Sequence, residues 1–358
     1  MVYDDLVFSG DFVCPNPVIC SNAIQRLDSS FLKAPKIINF ETSLRGFAGR
    51  KRTRGVALLS EMKSLEVLNK LNVVCVTMAN NHVTDYEIDI DKQKELLLSH
   101  NIQSIGVGNN LIEAAKPFIC DKRKIVLLTF GWDVIRCKYS TSVSLGINPY
   151  IYKYVEEEVL KYRRAFPEHK LVVTIHGNYE FERYPQPADR EFAHYLIDLG
   201  VDAIIGHHPH IISGCEQVQG KPIFYSLGNF YTPEVEYDGY KLSFHKEARV
   251  GLSVKLGGCI QDVEVFLHKQ SASGDSMSLT SRGKMLDSDY LSALSGFRGM
   301  SHKDYLLFYK EHKFHKNKLL PTFRSFRNTR ENSLKSQFVK IRQIPIDLRS
   351  KIKGRDSR

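Results

Sequence analysis

Short apolar runs recur along the first 230 residues of this chain, and polar stretches that contain Gly, Asn or Asp separate them. Each run is nearly continuous in Val, Ile and Leu and is shorter than a typical helix, which is characteristic of strands buried on both faces. We therefore predict strands at residues 6–9, 36–40, 73–78, 125–130, 171–175, 201–205 and 222–227.

Helical periodicity appears between these runs, at residues 58–71, 88–100, 151–165 and 189–199. In the last of them Phe192, Leu196 and Leu199 share one helical face, and Gly200 supplies the stop signal. Strands that alternate with helices predict an α/β fold with a parallel or mixed sheet that helices cover on both faces.

The pattern changes after residue 229. Apolar residues at 250, 252, 254 and 256 alternate strictly with others, and a further run at 260–267 follows the turn signal Gly257-Gly258. We expect a hairpin that closes a domain spanning residues 1–270. Residues 271–285, rich in Ser and Gly, are predicted to form a linker, and residues 286–358 a basic C-terminal tail that contains many aromatic residues.

Composition is that of an ordinary globular protein, with 42% hydrophobic and 25% charged residues. No apolar run reaches the roughly 18 residues that a transmembrane helix requires. The first residues lack the basic and then apolar pattern of a secretory signal. The seven cysteines are odd in number, scattered and without a CxxC pair, so we predict reduced thiols and a cytoplasmic location.

The positive charge is concentrated at the C-terminus. Net charge is +10, and residues 301–358 hold sixteen Lys/Arg against five Asp/Glu, a net of +11 that leaves −1 for the rest. Such a tail is compatible with solvated helices packed on the domain, with contact to an anionic polymer or membrane surface, or with nucleic-acid binding. Nucleic acid is the least favoured because no nucleic-acid-binding motif is visible.

Polar side chains that could bind a metal follow several of the predicted strands directly. In α/β sheets, ligands bind outside the carboxyl ends of the strands. A single Asp or Asn in such a place usually just makes a turn. Here five strand ends carry such residues, which favours a common site: Asp11, Glu41, Asn81 with His82, His176, and the histidines after residue 206.

The sequence VDAIIGHHPH at 201–210 carries the strongest of these signals. A buried strand ends at Gly206, and His207, His208 and His210 follow where the chain must turn. Imidazole is a ligand for Zn, Mn, Fe or Ni rather than for Mg or Ca. A polar turn is the alternative, but three histidines in four positions favour a metal site.

The motifs and their order resemble those of the CapA family of poly-γ-glutamate capsule-synthesis proteins. The resemblance covers roughly residues 5–270 and leaves the tail outside. Its motifs are FSGD at 8–11, INFETSL at 38–44, ANNH at 79–82, LIDLGVDAIIGHHPH at 196–210 and IFYSLGNF at 223–230. Because that family is similar in fold to the calcineurin-like metallophosphoesterases, the resemblance implies layered mixed β-sheets flanked by helices.

The resemblance also implies a site with one or two divalent cations (Mn, Fe or Zn). The metal ligands that it implies are Asp11, Glu41, Asn81, His176, His208 and His210. It casts His82 as a general acid or phosphate-contacting group. His207 is an additional imidazole, which either supports its neighbours or exchanges roles with His208, and we count it with His82 as catalytic.

Two further residues are predicted to bind substrate. Glu180, four residues after His176, is either a partner within the site or a surface carboxylate. Asn229, in the SLGNF motif, either hydrogen-bonds within the site or to substrate, or is a turn residue after Gly228.

These observations lead to two functional hypotheses. The first is a metal-dependent hydrolase or transferase that acts on a phosphorylated or γ-glutamyl substrate in capsule, poly-γ-glutamate or surface-polysaccharide biosynthesis. The second is a non-catalytic capsule-assembly accessory whose basic tail binds an anionic polymer or a membrane partner at the inner face of the membrane.

Overall fold

The computed structural model describes residues 6–53, 55–237, 239–256 and 262–353, with side chains as far as residue 343. Two mixed β-sheets pack face to face, and helices cover their outer surfaces. The predicted α/β class, with layered mixed sheets flanked by helices, is therefore confirmed.

The strands of the two sheets are taken here in chain order. They are β1 (Leu6–Phe12), β2 (Lys36–Phe40), β3 (Val73–Thr77), β4 (Gln103–Ile105), β5 (Phe118–Cys120), β6 (Ile125–Gly131), β7 (Lys170–His176), β8 (Ala203–His207), β9 (Cys215–Val218), β10 (Lys221–Phe224), β11 (Asn229–Tyr231), β12 (Val250–Leu256), β13 (Glu264–Gln270) and β14 (Met277–Lys284).

The first sheet has the order β14-β13-β12-β1-β2-β3-β4, and β11 also pairs with β1. Strands β1 to β4 run parallel, whereas β12, β13 and β14 form an antiparallel meander beside β1. The second sheet has the order β5-β6-β7-β8-β10-β9, with a parallel centre and an antiparallel strand at each edge. Each sheet therefore presents several carboxyl strand ends at one edge.

Helices and short ribbons complete the fold. The helices are α1 (Pro17–Ile24), α2 (Ser29–Lys33), α3 (Ser64–Lys70), α4 (Ile90–Ser99), α5 (Leu111–Ala114), α6 (Tyr152–Ala165), α7 (Pro187–Asp198), α8 (Asp289–Leu294), α9 (His302–His312) and α10 (Thr329–Lys353). The two-stranded ribbons pair Ser43–Leu44 with Leu59–Ser60, Ala48–Lys51 with Tyr86–Ile88, Val107–Gly108 with Gly146–Ile147, and Glu236–Tyr237 with Tyr240–Lys241.

The apolar runs are continuous because both faces of each sheet are covered. In β1, Leu6 and Phe8 lie in the layer between the sheets, while Val7 packs in the cluster that includes the outer helices. In β8, Ile205 faces the inner layer and Ile204 the outer one. Successive side chains of a strand point to opposite faces, so a strand covered on both sides needs an apolar residue at every position.

The stretch predicted as a linker, residues 271–285, contains strand β14, which pairs with β13 along its whole length. The linker prediction is wrong there because an edge strand forms its ladder through the backbone and requires few apolar side chains. Met277 is buried, and most of the other β14 residues are exposed. The turn signal Gly257-Gly258 lies outside the described residues, but β12 and β13 pair antiparallel as expected for a hairpin.

The helix predicted at residues 58–71 begins later, with α3 at Ser64. Residues 59 and 60 form a ribbon strand instead. The backbone N–H of Leu58 donates to the Asp85 carboxylate over 2.9 Å. A contact to a residue this distant in sequence holds the segment extended against its local helical pattern.

The described part of the tail packs back on the domain. Buried Arg190 forms two hydrogen bonds with Glu216, at 3.0 and 2.9 Å, and its guanidinium stacks 4.7 Å from the ring centroid of Tyr305 in α9. The Tyr305 hydroxyl donates to the carbonyl of Pro185 over 2.8 Å. Among the helices that the structure describes, none combines the length and apolarity needed to cross a membrane.

Replacing Glu216 with Gln removes the charge that balances buried Arg190, so we expect the free energy of unfolding to fall by about 3 kcal/mol at neutral pH. Burial raises the pKa of Glu216, but hydrogen bonds from His194 and Arg190 outweigh it and lower that pKa from 4.5 to about 2. The stabilisation is therefore present above pH 4.5 and is lost as the pH falls towards 2, so the variant and the unmodified protein should converge in that window.

Urea unfolding followed by circular dichroism at several pH values measures this difference. Glu87→Gln, in the exposed pair with Arg50 (3.0 Å), is the matched control and should cost less than about 1 kcal/mol. A Glu216→Gln protein as stable as the unmodified chain at neutral pH would contradict the role given to this pair.

Candidate metal centre

Strand ends from both sheets converge on one buried group of side chains. Asp11 lies near the end of β1 and Glu41 follows β2 directly. His176 is the last residue of β7, and the loop after β8 carries His208 and His210. The structure thus brings together five of the six predicted metal ligands, which we call the donor cluster: Asp11, Glu41, His176, His208 and His210.

The donor cluster comprises two overlapping triads. Glu41, His176 and His208 place one ligand atom each within 4.8 Å of one another, and so do Asp11, Glu41 and His210. Glu41 belongs to both triads. Its Oε1 lies 3.4 Å from Nε2 of His176, and its Oε2 lies 3.8 Å from Nδ1 of His210.

The carboxylate of Glu41 is the clearest sign that a cation belongs here. It is fully buried, and neither of its oxygens has a hydrogen-bond partner among the described residues. Burial, and then the charge of Asp11, raise the pKa of Glu41 to about 7. Buried polar groups are nearly always satisfied, so an orphaned carboxylate beside imidazoles fits a divalent metal ion.

The charge states of the histidines match this interpretation. Burial lowers the pKa of His176 and of His208 well below the usual value, which keeps both rings neutral, the form that binds metal. Burial also lowers the pKa of His210, but the charge of Glu41 and the hydrogen bond to Asp11 raise it overall to about 10. A proton on His210 offsets part of the negative charge of the two carboxylates.

The loop that follows β8 holds its histidines in an uncommon backbone conformation. His208 has φ +94° and His210 has φ +60°, both in the region that non-glycine residues rarely occupy. Such conformations cost roughly 1–3 kcal/mol each and concentrate at functional sites. A contact from a distant segment of the same chain holds the loop, because the N–H of Phe181 donates to the carbonyl of Pro209 over 2.9 Å.

Asn81 and His82 lie at the mouth of the donor cluster. Oδ1 of Asn81 is 2.7 Å from Nε2 of His176, so Asn81, the sixth predicted ligand, contacts the cluster. Nδ1 of His82 is 2.6 Å from Oδ2 of Asp85, and its Nε2 lies 4.0 Å from Glu41. Burial lowers the pKa of His82, but Asp85 more than compensates and leaves it raised.

Sequence reasoning missed three residues that support the site. Asp85 orients His82, and the only sign of this in the sequence is that Asp85 lies three residues after His82. Nδ2 of Asn39 donates to Asp11 over 2.7 Å and lies 3.2 Å from Nδ1 of His176. Asn80 accepts the backbone N–H of His82 over 3.1 Å. A polar residue inside the buried run KIINF was a usable signal for Asn39.

The other predicted residues lie at different depths. Nδ1 of His207 is 3.3 Å from Asp11, and His207 is buried and belongs to neither triad. Asn229 is 1% exposed, with Oδ1 2.9 Å from Nδ1 of His210 and Nδ2 donating to the carbonyl of Ala248 over 3.1 Å. These contacts place His207 and Asn229 beside the donor cluster, and the roles predicted for them, catalysis for His207 and substrate binding for Asn229, stay predictions.

A cleft of about 630 Å³ opens above the donor cluster. Glu180 is exposed and lines it, and its role in substrate binding stays a prediction. The walls combine apolar side chains with polar and charged ones, among them Asp133 and Arg136. The lining includes Asn81, His82, His208 and His210 at the floor, Val56, Leu58, Val134, Ile135, Phe181 and Phe244 in the walls, and several residues of the C-terminal segment.

The family model and the similar curated proteins indicate the same family, and each of them matches only part of this chain. Residues 8–234 match the family model described as Bacterial capsule synthesis protein PGA_cap. The PGA biosynthesis protein CapA of Bacillus subtilis is 29% identical over 190 residues, which are 51% of this chain and 48% of that protein. The capsule biosynthesis protein CapA of Bacillus anthracis is 25% identical over 194 residues, 51% and 45% of the two chains.

This chain therefore spans about half the length of those curated relatives. Among solved structures, a Vps29 double mutant from Entamoeba histolytica aligns over 68% of this chain and 95% of its own, at 10% identity and a TM-score of 0.27. A similarity that low supports no conclusion about the site.

Replacing Glu41 with Gln should change stability in opposite directions with and without metal. In the metal-free protein the substitution removes an unsatisfied buried charge, so we expect an equal or higher unfolding midpoint. With Mn²⁺ in hundredfold excess over its dissociation constant, the unmodified protein should gain about 2.7 kcal/mol, and the variant should gain little.

Thermal unfolding in chelator and in Mn²⁺ measures both effects. Glu180→Gln is the control, because Glu180 lines the cleft but belongs to neither triad. If the Glu41→Gln protein gains as much stability from Mn²⁺ as the unmodified chain, Glu41 is not a ligand.

Proposed function

The chain belongs to the bacterial capsule synthesis protein family PGA_cap, and from this premise we propose that it is a metal-dependent hydrolase or transferase. We assign it to the synthesis of a capsule, of poly-γ-glutamate or of a surface polysaccharide. The observation that carries the proposal is the buried Glu41 carboxylate, shared by two ligand triads and unpartnered within the described chain.

The donor cluster and Asn81 would hold one or two divalent cations. Carboxylate, amide and imidazole ligands together suit Mn, Fe or Zn. A bound cation would act as a Lewis acid that polarises the bond to be broken. Asn39 and Asn229 hold the ligands Asp11, His176 and His210 in place, as hydrogen-bonded second partners of metal ligands commonly do. Nδ1 of His207 lies 3.3 Å from Asp11.

His82 is the residue that we propose to transfer a proton. The Asp85 carboxylate accepts a hydrogen bond from Nδ1 of His82, so Nε2 of His82 is the atom directed to the cluster. The raised pKa favours the protonated ring, which can donate to a leaving group. His82 also lines the cleft, where a substrate can reach it.

The cleft suits a small or extended substrate bound by one end. Its volume of about 630 Å³ lies within the usual range of ligand sites. We propose that the substrate carries a phosphoryl or γ-glutamyl group. We further propose a cytoplasmic location, which agrees with the free state of the cysteines in the described residues.

Metal content and turnover, measured separately on three proteins, test the proposal. We expect one or two equivalents of Mn, Fe or Zn in the unmodified chain by mass spectrometry, and loss of metal in His208→Ala. In His82→Gln we expect full metal content but a turnover of phosphodiester or γ-glutamyl substrates lowered by about 10²- to 10⁴-fold.

Lys335→Gln, on α10 and outside the cleft lining, serves as the control and should retain both metal and turnover. Absence of any metal after reconstitution would overturn the proposal. Equal turnover in His82→Gln and the unmodified chain would remove His82 from the reaction.

A second candidate function rests on the outer face of α10. Leu334, Phe338 and Ile341 are 61%, 54% and 65% exposed and follow the spacing i, i+4, i+7, so they form one apolar stripe. Arg342 is next to Ile341 in the sequence, and residues 301–358 have a net charge of +11. An exposed apolar stripe on a basic helix is typical of helices that lie on anionic membrane surfaces, and it supports an accessory protein that docks at the inner face.

Cosedimentation with vesicles of phosphatidylglycerol and phosphatidylcholine tests this candidate. We expect the chain to bind the anionic vesicles and the triple variant Leu334→Ser/Phe338→Ser/Ile341→Ser to lose binding. The control replaces Leu98, Ile112 and Val143, exposed apolar residues elsewhere, with Ser. Equal binding by the two triple variants, or no binding by the unmodified chain, would reject the docking role.

A further inference from the structure

The C-terminal segment contributes one side of the cleft that holds the donor cluster. Its cleft-lining residues are Asn317, Leu320, Val339, Lys340 and Gln343. They line the same cavity as His208 and His210, although they lie about 80 residues or more beyond the family match, which ends at residue 234. We call residues 313–343 the C-terminal wall.

Buried hydrogen bonds fix the C-terminal wall to the loop that follows His176. The Glu182 carboxylate, fully buried, accepts the N–H of Phe314 over 3.2 Å and Nδ2 of Asn317 over 3.3 Å. The same Nδ2 donates to the carbonyl of Glu180 over 3.0 Å, and the Tyr179 hydroxyl donates to the carbonyl of Pro321 over 3.0 Å. The wall is therefore a fixed part of the site.

A second attachment lies at the other end of the wall. Nζ of Lys340 forms an ion pair with Asp133, in the turn after β6, and both residues line the cleft. The Lys340 side chain is 46% exposed and that of Asp133 is 26% exposed. Val134 follows Asp133 in the sequence and Val339 precedes Lys340, and both valines line the cleft beside the ion pair.

We propose that Lys340 is a specificity-determining residue that binds a second acidic group of the substrate, beyond the group that lies at the donor cluster. The proposal rests on the proposed function, since it requires the substrate to occupy this cleft. The wall fixes the backbone of Lys340, and the partly exposed ion pair with Asp133 is of the weak kind that an incoming anion can replace.

The pairing with Asp133 gives the proposal a distinctive consequence. Asp133 competes with the substrate for the Lys340 ammonium group. Removing the charge of Asp133 should therefore strengthen binding of a doubly acidic ligand, whereas removing the charge of Lys340 should weaken it. A role of the pair in stability alone would make the two substitutions act in the same direction.

Calorimetric titration of the full chain with two non-hydrolysable probes tests the proposal. Phenylphosphonate and 4-carboxyphenylphosphonate differ by one carboxylate. We expect the unmodified, Mn²⁺-treated protein to bind the carboxylated probe about three- to tenfold more tightly, Lys340→Gln to lose this preference, and Asp133→Asn to increase it. All three proteins should bind phenylphosphonate equally.

Arg330→Gln is the matched control, because Arg330 is an exposed cation on the same helix and lies outside the cleft lining. Its preference should equal that of the unmodified chain. The proposal falls if the unmodified chain shows no preference, if Lys340→Gln retains it, or if both variants weaken it. Metal content is measured on the same samples, so that a loss of metal is distinguished from a loss of the preference. The two probes are also titrated into the metal-free chain.

Discussion

The shared carboxylate of Glu41 is the constraint on which the site depends. It is fully buried, and the side chains that lie 3.4 to 4.0 Å from its oxygens are the imidazoles of His82, His176 and His210 rather than Lys or Arg. Burying a carboxylate without a hydrogen-bonded partner strongly opposes folding. Glu41 belongs to both triads, so a cation bound by either triad would lie beside its carboxylate and would offset its charge. Protonation of Glu41 or of His210 is the alternative that the fold has without a cation.

That arrangement requires two sheets in a fixed register. Across the second sheet Gly131, His176 and His207 are aligned partners on neighbouring strands, and in the first sheet Asp11 is aligned with Asn39 and Asn229. A slip of one residue would turn each of these side chains to the opposite face. The strands pack so closely at Gly10 that no other residue fits there, because a Cβ on Gly10 would lie 1.9 Å from the carbonyl oxygen of Gly228.

The sequence predicted those parts of the site that sit on strand ends. Continuous apolar runs located the strands, and the polar residues after them had to meet at one edge of each sheet. Asp85 and Lys340 escaped prediction because their roles depend on partners rather than on a pattern. Lys340 meets Asp133 from 207 residues away, a contact that no local spacing reveals. Strand β14 escaped for a related reason, since its ladder with β13 is made by backbone groups that every sequence offers.

Floor and wall of the cleft therefore have different physical origins. The floor is held by strand ends inside the region that matches the family, whereas the wall is held by side-chain contacts from residues beyond it. The contacts of the wall act on the loop at Glu180 and Glu182 rather than on the donor cluster. A change in the wall can therefore reshape the cleft while the geometry of the donor cluster below stays the same. The family match accordingly extends to the residues of the floor and not to those of the C-terminal wall.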